Sequence, residues 1–192
     1  MLYWSGMTKE IKIFLGIIIG LMVIVGGFVV MSAKVPGKYD DFAQCITDSG
    51  TKFFGAFWCP HCAAQKQLFG KSVKKLPYVE CSNPDQSQTQ ICIDNKIESY
   101  PTWVYPKGVT VTSDTQPIVC SPQPGKAGEN EICKKEVSQY FTTWLFKDIT
   151  VKSMGQPTIK DKTWVFPVGS QVVAEQSFDA LAAQTGCVAP TQ

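Results

Sequence analysis

One stretch, Phe53–Cys62, constrains the fold more than any other part of this 192-residue chain. It begins with a nearly unbroken apolar run, Phe53–Trp58, which predicts a strand buried on both faces, as at the centre of a parallel sheet. Two cysteines separated by two residues follow at once, and 63–76 continues with apolar residues close to helical spacing. Pro60 suits the first helical position, because its missing N–H is not needed there. Strand, Cys-x-x-Cys and helix in this order predict a redox site.

The chemistry of the pair follows from its place at the start of the helix. Cys59 falls at the predicted N-cap, where unpaired backbone N–H groups and the positive end of the helix dipole favour an anion. That anion is a thiolate, the reactive form of cysteine. His61, the one histidine of the chain, lies inside the pair, and we interpret His61 and Pro60 as redox-tuning residues. A stabilised thiolate makes the Cys59–Cys62 disulfide oxidising, so a substrate dithiol passes its electrons to it.

The N-terminal part predicts a membrane anchor over residues 1–34. Ile13–Met31 is nineteen residues without a charge, and as a helix it matches a hydrocarbon core of roughly 30 Å. A cleaved signal peptide is the alternative, which the length of the run and the poor cleavage site at 31–33 disfavour. All eight cysteines lie beyond this segment, an even number that an oxidising compartment allows. We therefore expect residues 35–192 on the extracytoplasmic side of a membrane.

Charge and cysteine spacing argue against two other classes of protein. The eighteen basic residues are all lysines in clusters no larger than a pair, which argues against a nucleic-acid partner. Zinc is the main rival for Cys-x-x-Cys, but it requires a second close pair, and ten residues lie between Cys81 and Cys92. We predict no metal and no cofactor.

The middle of the chain contains a partial repeat. Two stretches show the same eleven-residue step from a cysteine to the tryptophan of a Thr-Trp pair: Cys92 to Trp103, and Cys133 to Trp144. We interpret about 106–162 as an insert that duplicates about 81–119. Chance likeness between short β segments is the alternative.

The six cysteines outside the pair predict structural disulfides. Two local pairs mirror each other across the repeat, and the third follows by elimination: Cys81–Cys92, Cys120–Cys133 and Cys45–Cys187. Eight cysteines allow 105 pairings, so this is a ranked choice among many. A relay role for Cys81–Cys92 stays open.

The remaining elements predict an alternation of helices and strands. In chain order they are a helix at 40–47, a strand at 78–81, a short helix at 90–96, a strand at 100–105, a β-hairpin of 163–167 with 171–174, and a helix at 178–184. Ser177 starts the last helix, and Gly186 closes it. This order is that of a thioredoxin fold.

Several motifs make the resemblance closer than the fold. They are Gly55-Ala56-Phe57-Trp58-Cys59-Pro60-His61-Cys62, Pro77-Tyr78-Val79-Glu80-Cys81-Ser82 and Ser99-Tyr100-Pro101-Thr102-Trp103. The chain resembles the thioredoxin-like domain fused to bacterial vitamin K epoxide reductase homologues, over about 39–105 and again over about 163–187. The resemblance implies an α/β, thioredoxin-like fold for residues 35–192, interrupted by the insert.

The resemblance also implies roles for particular residues. In that family the first cysteine is the nucleophile and the second resolves the mixed disulfide, which implies these roles for Cys59 and Cys62. A cis-proline that contacts the substrate chain corresponds to Pro101. We expect Trp58 and Tyr100 to line a shallow apolar groove for unfolded peptide. The Pro-His dipeptide also resembles the DsbA group of strong oxidants.

One feature argues against efficient reduction of substrates, and another leaves the identity of the cis-proline open. Phe53 occupies the position at which thioredoxin carries a buried aspartate, so proton removal from Cys62 needs water or another group. Pro157 is a rival of Pro101 for the cis-proline.

The resemblance implies a thiol–disulfide oxidoreductase of the bacterial cytoplasmic membrane, with a single membrane pass. It would introduce or relay disulfides in cysteine-containing exported proteins. A separate membrane partner of vitamin K epoxide reductase or DsbB type would reoxidise it. The alternatives are a reducing or isomerising protein of the same fold, a catalytically silent disulfide-stapled binding module, and a metal-binding module.

Overall fold

A computed structural model describes residues 8–33, 35–120, 133 and 138–191. The chain divides after Pro36 into two compact units. The first contains helix α1 (Lys9–Ala33), whose apolar side chains between Ile11 and Val25 are exposed. In the part of the chain that the structure describes, no helix has both the length and the apolar character needed to cross a membrane. The predicted anchor is therefore not supported.

The second unit is an alternation of short helices and strands, which confirms the predicted α/β class. Its elements are α2 (Asp40–Asp48), β1 (Lys52–Gly55), α3 (Pro60–Phe69), a 3₁₀ helix (Gly70–Lys75), β2 (Tyr78–Glu80), α4 (Gln90–Asp94), β3 (Thr102–Val104), β4 (Val109–Thr112), β5 (Ile118–Cys120), β6 (Thr142–Leu145), β7 (Thr150–Ser153), β8 (Thr158–Lys160), β9 (Thr163–Phe166), β10 (Gln171–Val173) and α5 (Phe178–Thr185). Residues 121–132 and 134–137 of the predicted insert lie outside the described residues.

Strand β1 lies inside a seven-stranded sheet with the order β2-β1-β3-β10-β7-β6-β5. It is parallel to β2 and antiparallel to β3, so the sheet is mixed and not purely parallel. Phe53 and Phe54 point to opposite faces of the strand, and both are buried. Burial on both faces explains why the sequence there is continuously apolar. The strand ends at Gly55, and 56–58 form the turn that leads to α3.

The prediction of a C-terminal β-hairpin is wrong. Strand β9 pairs with β4 and β8 in a separate three-stranded sheet, whereas β10 pairs with β3 and β7. In the smaller sheet Val109 lies opposite Phe166, and Val111 lies opposite Trp164. All four side chains are buried, and such cross-strand apolar pairs stabilise β4 against β9. The turn at Gly169 therefore passes the chain from one sheet to the other.

The region between β3 and β9 supplies three strands of the large sheet. Strands β5, β6 and β7 extend it beyond β10, so β10 lies between this region and β3, the strand that follows Pro101. The similar Thr-Trp segments of β3 and β6 both lie in this sheet, and the third, in β9, lies in the other. The limits of the insert and its origin by duplication stay predictions.

Aromatic rings fix α3 against helices α2 and α5. The ring of Phe69 stacks on Phe42 of α2 with centroids 6.1 Å apart and meets Phe178 of α5 at 5.0 Å. Helix α3 ends there because Gly70 adopts a positive φ of 51°, which few other residues tolerate. The chain then continues as the 3₁₀ helix. The helix that begins with Pro60 is thus anchored at its far end.

Candidate active site: the Cys59–Cys62 pair

The start of α3 brings the two cysteines together in the predicted way. Cys59 is the N-cap residue with extended backbone, and Pro60 is the first helical residue. The N–H of Cys62 donates to Cys59 Sγ at 3.4 Å, an interaction that strengthens when the sulfur is an anion. The N–H of Cys59 donates to the carbonyl of Ala56 at 3.0 Å and fixes the turn from β1. The strand and the helix therefore hold the sulfurs in place.

The two thiols differ in access and in acidity. Both cysteines are free, with exposed fractions of 5% for Cys59 and 1% for Cys62. Burial, together with the hydrogen bond to Cys59, raises the pKa of Cys62 to about 12. Cys62 therefore stays protonated at neutral pH in the reduced protein, and the other sulfur is the more accessible one.

The loop before β3 faces this pair. The Tyr100–Pro101 peptide bond is cis, and the thiol of Cys59 lies 3.8 Å from the carbonyl oxygen of Tyr100, to which it donates. The bond before Pro157 is not among the cis bonds of the described residues, so the structure places Pro101 and not its rival in this conformation. A group attached to Cys59 must pass close to this loop.

Aromatic side chains form a surface beside Cys59. Trp58 is 46% exposed, and its ring meets that of Tyr100 edge-on with centroids 5.9 Å apart. The indole N–H of Trp58 donates to Ser82 Oγ at 2.8 Å, which fixes the ring. Phe57 next to it is exposed as well, although the sequence analysis did not single it out. An exposed apolar patch next to a reactive sulfur suits an unfolded chain as a ligand.

His61 pairs with a residue that the sequence analysis did not identify. Its Nδ1 lies 2.7 Å from Glu175 Oε1, and the two side chains are 70% and 40% exposed. Glu175 is held there because the side-chain amide of Gln65, buried on α3, donates to the carbonyl of Gln176 and accepts from its N–H. This two-fold amide clamp joins the loop after β10 to the redox helix.

Close packing at Gly55 surrounds Cys62. A Cβ atom on Gly55 would lie 2.8 Å from Cys62 Sγ and 2.9 Å from Cε2 of Tyr78, so only glycine fits between them. Burial, with a contribution from the hydrogen bond to Glu80, raises the pKa of Tyr78. The ammonium group of Lys66 lies 3.3 Å from the centroid of the Tyr78 ring. A cation and a phenol thus lie near the second cysteine. The ring of Phe53 stacks instead on that of Trp103, with the ring centroids 4.5 Å apart.

Glu80 organises the loop that carries the pair. Its Oε1 accepts from the N–H groups of Phe57 and Ser82, each at 3.0 Å, and its Oε2 accepts from the hydroxyl of Tyr78 at 2.8 Å. One carboxylate therefore ties the turn before Cys59 to the end of β2. The acidic residue inside an otherwise strand-like run, Tyr78-Val79-Glu80-Cys81, was the signal available in the sequence.

The other six cysteines form three disulfides, and these are the pairs that the sequence suggested. They are Cys45–Cys187, Cys81–Cys92 and Cys120–Cys133, with Cα–Cα distances of 6.0, 5.5 and 5.3 Å. Among the described residues no group of three or more His, Cys, Asp or Glu side chains is placed to hold a metal ion.

A free dithiol at a helix start, one sulfur more accessible than the other, and a cis-proline loop against the first sulfur together define a site for thiol–disulfide exchange. No family model matches the chain. Over 68 residues it is 46% identical to the thiol–disulfide oxidoreductase LTO1 of Arabidopsis thaliana. The match covers 32% of this chain and 18% of that protein, so the chain spans less than a fifth of this curated relative. The similarity supports an oxidoreductase enzyme that acts on thiols and disulfides.

Proposed function

We propose that the chain is a thiol–disulfide oxidoreductase with a thioredoxin-like fold, in which Cys59 exchanges with the substrate and Cys62 resolves. The observation that carries the proposal is the difference between the two sulfurs. Cys59 is the more exposed one, beside the carbonyl of Tyr100, and Cys62 lies behind it as a buried thiol of high pKa. We therefore assign the exchange with substrate to the first sulfur.

In the oxidising direction a substrate thiolate attacks Cys59 Sγ of the Cys59–Cys62 disulfide. The bond between the two cysteines breaks, a mixed disulfide forms, and the Cys62 sulfur leaves as a thiolate that takes up a proton. The second substrate thiolate then attacks the substrate sulfur of the mixed disulfide, and Cys59 leaves as a thiolate. The substrate loses two electrons and becomes a disulfide, and the pair gains them as a dithiol.

The high pKa of Cys62 slows both directions, because the same sulfur must leave as a thiolate when a substrate is oxidised and attack as a thiolate when one is reduced. Reduction of a substrate requires Cys62 to attack the mixed disulfide as a thiolate, and at neutral pH a thiol with a pKa of about 12 is almost wholly protonated. Phe53, stacked on Trp103, offers no proton acceptor from β1. A reductant or isomerase of the same fold is the second candidate, and the 46% identity to an oxidoreductase named without a direction leaves it open to the test below.

The test is the reduction potential of the pair in the full chain. Equilibration with glutathione buffers, acid trapping and mass analysis of Cys59 and Cys62 give the potential, and Cys59→Ser is the control that cannot form the disulfide. A value near that of DsbA, about −120 mV, supports an oxidant, and one near thioredoxin, about −270 mV, supports the reductant. No exchange with glutathione would overturn the enzyme and leave the binding module.

The setting and the partners are part of the proposal. The substrates are cysteine-containing exported proteins, and a membrane protein of vitamin K epoxide reductase or DsbB type reoxidises the pair. Three structural disulfides support an extracytoplasmic site, because such bonds persist in oxidising compartments. Attachment to the bacterial cytoplasmic membrane rests on the uncharged run Ile13–Met31 alone. Carbonate extraction of membranes tests it, since release of the full chain into the soluble fraction would contradict an anchor.

A further inference from the structure

Strand β7 carries a lysine in an unusual place. Lys152 is only 4% exposed, inside the large sheet, where it lies opposite Gln171 of β10. Its Nζ lies 3.1 Å from Glu98 Oε2 and 3.2 Å from Ser99 Oγ. A buried ammonium group loses its hydration, so it is tolerated only when a partner and further hydrogen bonds compensate. Both partners of Lys152 come from the short segment before Pro101.

Glu98 is held from a second side as well. Its Oε1 accepts from the N–H of Gln139 at 2.9 Å. Although burial alone raises the pKa of Glu98, hydrogen bonds from Ser138, Gln139 and Lys152 outweigh it and lower the pKa. Glu98 is therefore an anion at neutral pH, matched to the cation beside it. All the residues that hold it belong to the predicted insert, 106–162.

The segment that the insert holds is continuous with the cis-proline loop. The hydroxyl of Thr102 donates to the carbonyl of Ser99 at 2.7 Å and closes the turn that contains Tyr100 and Pro101. The carbonyl of Tyr100 in turn lies 3.8 Å from Cys59 Sγ. A single residue, Ser99, thus lies between Glu98 of the buried ion pair and Tyr100, whose carbonyl faces the reactive sulfur.

We propose that Lys152 and Glu98 are positioning residues, through which the insert sets the Tyr100–Pro101 loop against a polypeptide substrate bound at Cys59. The proposal rests on the proposed function. A cysteine that forms a mixed disulfide with Cys59 brings its own backbone beside this loop, because the loop carbonyl lies within van der Waals range of the attacked sulfur. Glutathione, a small and flexible thiol, has little chain to align there. The ion pair therefore serves exchange with polypeptides more than exchange with glutathione.

The test compares the two kinds of substrate in Lys152→Met, Glu98→Gln and the double variant of the full chain. An extended dithiol peptide and reduced glutathione are the two reductants of the oxidised pair, followed by rapid trapping. The matched control is Lys162→Met, which removes an exposed lysine 2.8 Å from Asp114 in the same region. Urea unfolding of each variant gives the accompanying loss of stability.

We expect Lys152→Met to lower the rate constant with the peptide tenfold or more, because misplacement by about 1 Å can cost about 100-fold. The rate constant with glutathione stays within twofold, and so does the equilibrium constant with glutathione that gives the reduction potential. Lys162→Met changes neither rate constant. Equal losses with both reductants, or no loss with the peptide, would overturn the positioning role and leave a structural ion pair. If Lys152→Met does not fold, Ser99→Ala removes one contact of Lys152 and is judged by the same ratio of rates. A wild-type protein that oxidises neither reductant would instead refute the proposed function.

Discussion

The acidity of Cys62 yields the most direct test of the site. An ordinary cysteine with a pKa of 9.0 is about one-tenth thiolate at pH 8, whereas a pKa of about 12 leaves about one thiolate in 10,000. Alkylation requires the thiolate, so the folded protein should react about 1,000-fold more slowly at Cys62 than the unfolded chain, from ionisation alone. Cys59→Ser isolates this thiol and retains a hydroxyl beside it.

The assay is the rate of reaction of reduced Cys59→Ser protein with iodoacetamide as a function of pH, with and without urea. We expect the rate in urea to level off above about pH 9 and the rate of the folded protein to keep rising beyond pH 11. A folded-state midpoint near 9 would refute the argument that burial raises the pKa of this thiol. The linked effect on folding has a definite sign. Between about pH 9 and 12 the unfolded state binds fewer protons, so the reduced protein loses stability as the pH rises through this range.

Three further predictions concern the scaffold, and urea unfolding measures each of them. Gly55→Ala places a Cβ atom 2.8 Å from Cys62 Sγ, so we expect roughly 1–3 kcal/mol of destabilisation, and a value near zero would mean that the sulfur can move aside. Joint replacement of Cys45 and Cys187 by alanine removes the disulfide between two positions 142 residues apart and should lower the free energy of unfolding by roughly 2–5 kcal/mol. An unchanged unfolding midpoint would show that this disulfide contributes little to stability. Ser177→Ala removes the acceptor for the N–H of Ala180 and should cost about 1 kcal/mol, which Ser177→Thr should largely restore.

Features set by neighbouring residues were predictable from the sequence. Cys59 at the N-cap with Pro60 after it begins α3, and Ser177 begins α5, as the local patterns indicate. Gly186 ends α5 with a φ of 77°, a left-handed conformation that glycine adopts at no steric cost. In each case the physical cause lies within about four residues, where a single sequence carries the information.

Features that join distant parts of the chain were not predictable. The alternation of apolar residues in β9 indicates which face is buried, but not which strand lies beside it, so the hairpin with β10 was the wrong choice. Lysine and glutamine are seldom fully buried. Lys152 and Gln65 are buried because their partners, Glu98 and the backbone of Gln176, lie 54 and 111 residues away. No local sequence pattern predicts such long-range contacts.

The arrangement of the disulfides has a consequence for how the protein is made. Cys45–Cys187 encloses both local disulfides and the free pair, so the bridges are nested along the chain and none crosses another. They can close in any order without threading one loop through another. Until the outer bridge closes, however, Cys45 and Cys187 are thiols on the same molecule as Cys59, at high effective concentration. Closure of the three bridges therefore withdraws six sulfurs from exchange and leaves Cys59 and Cys62 as the free pair.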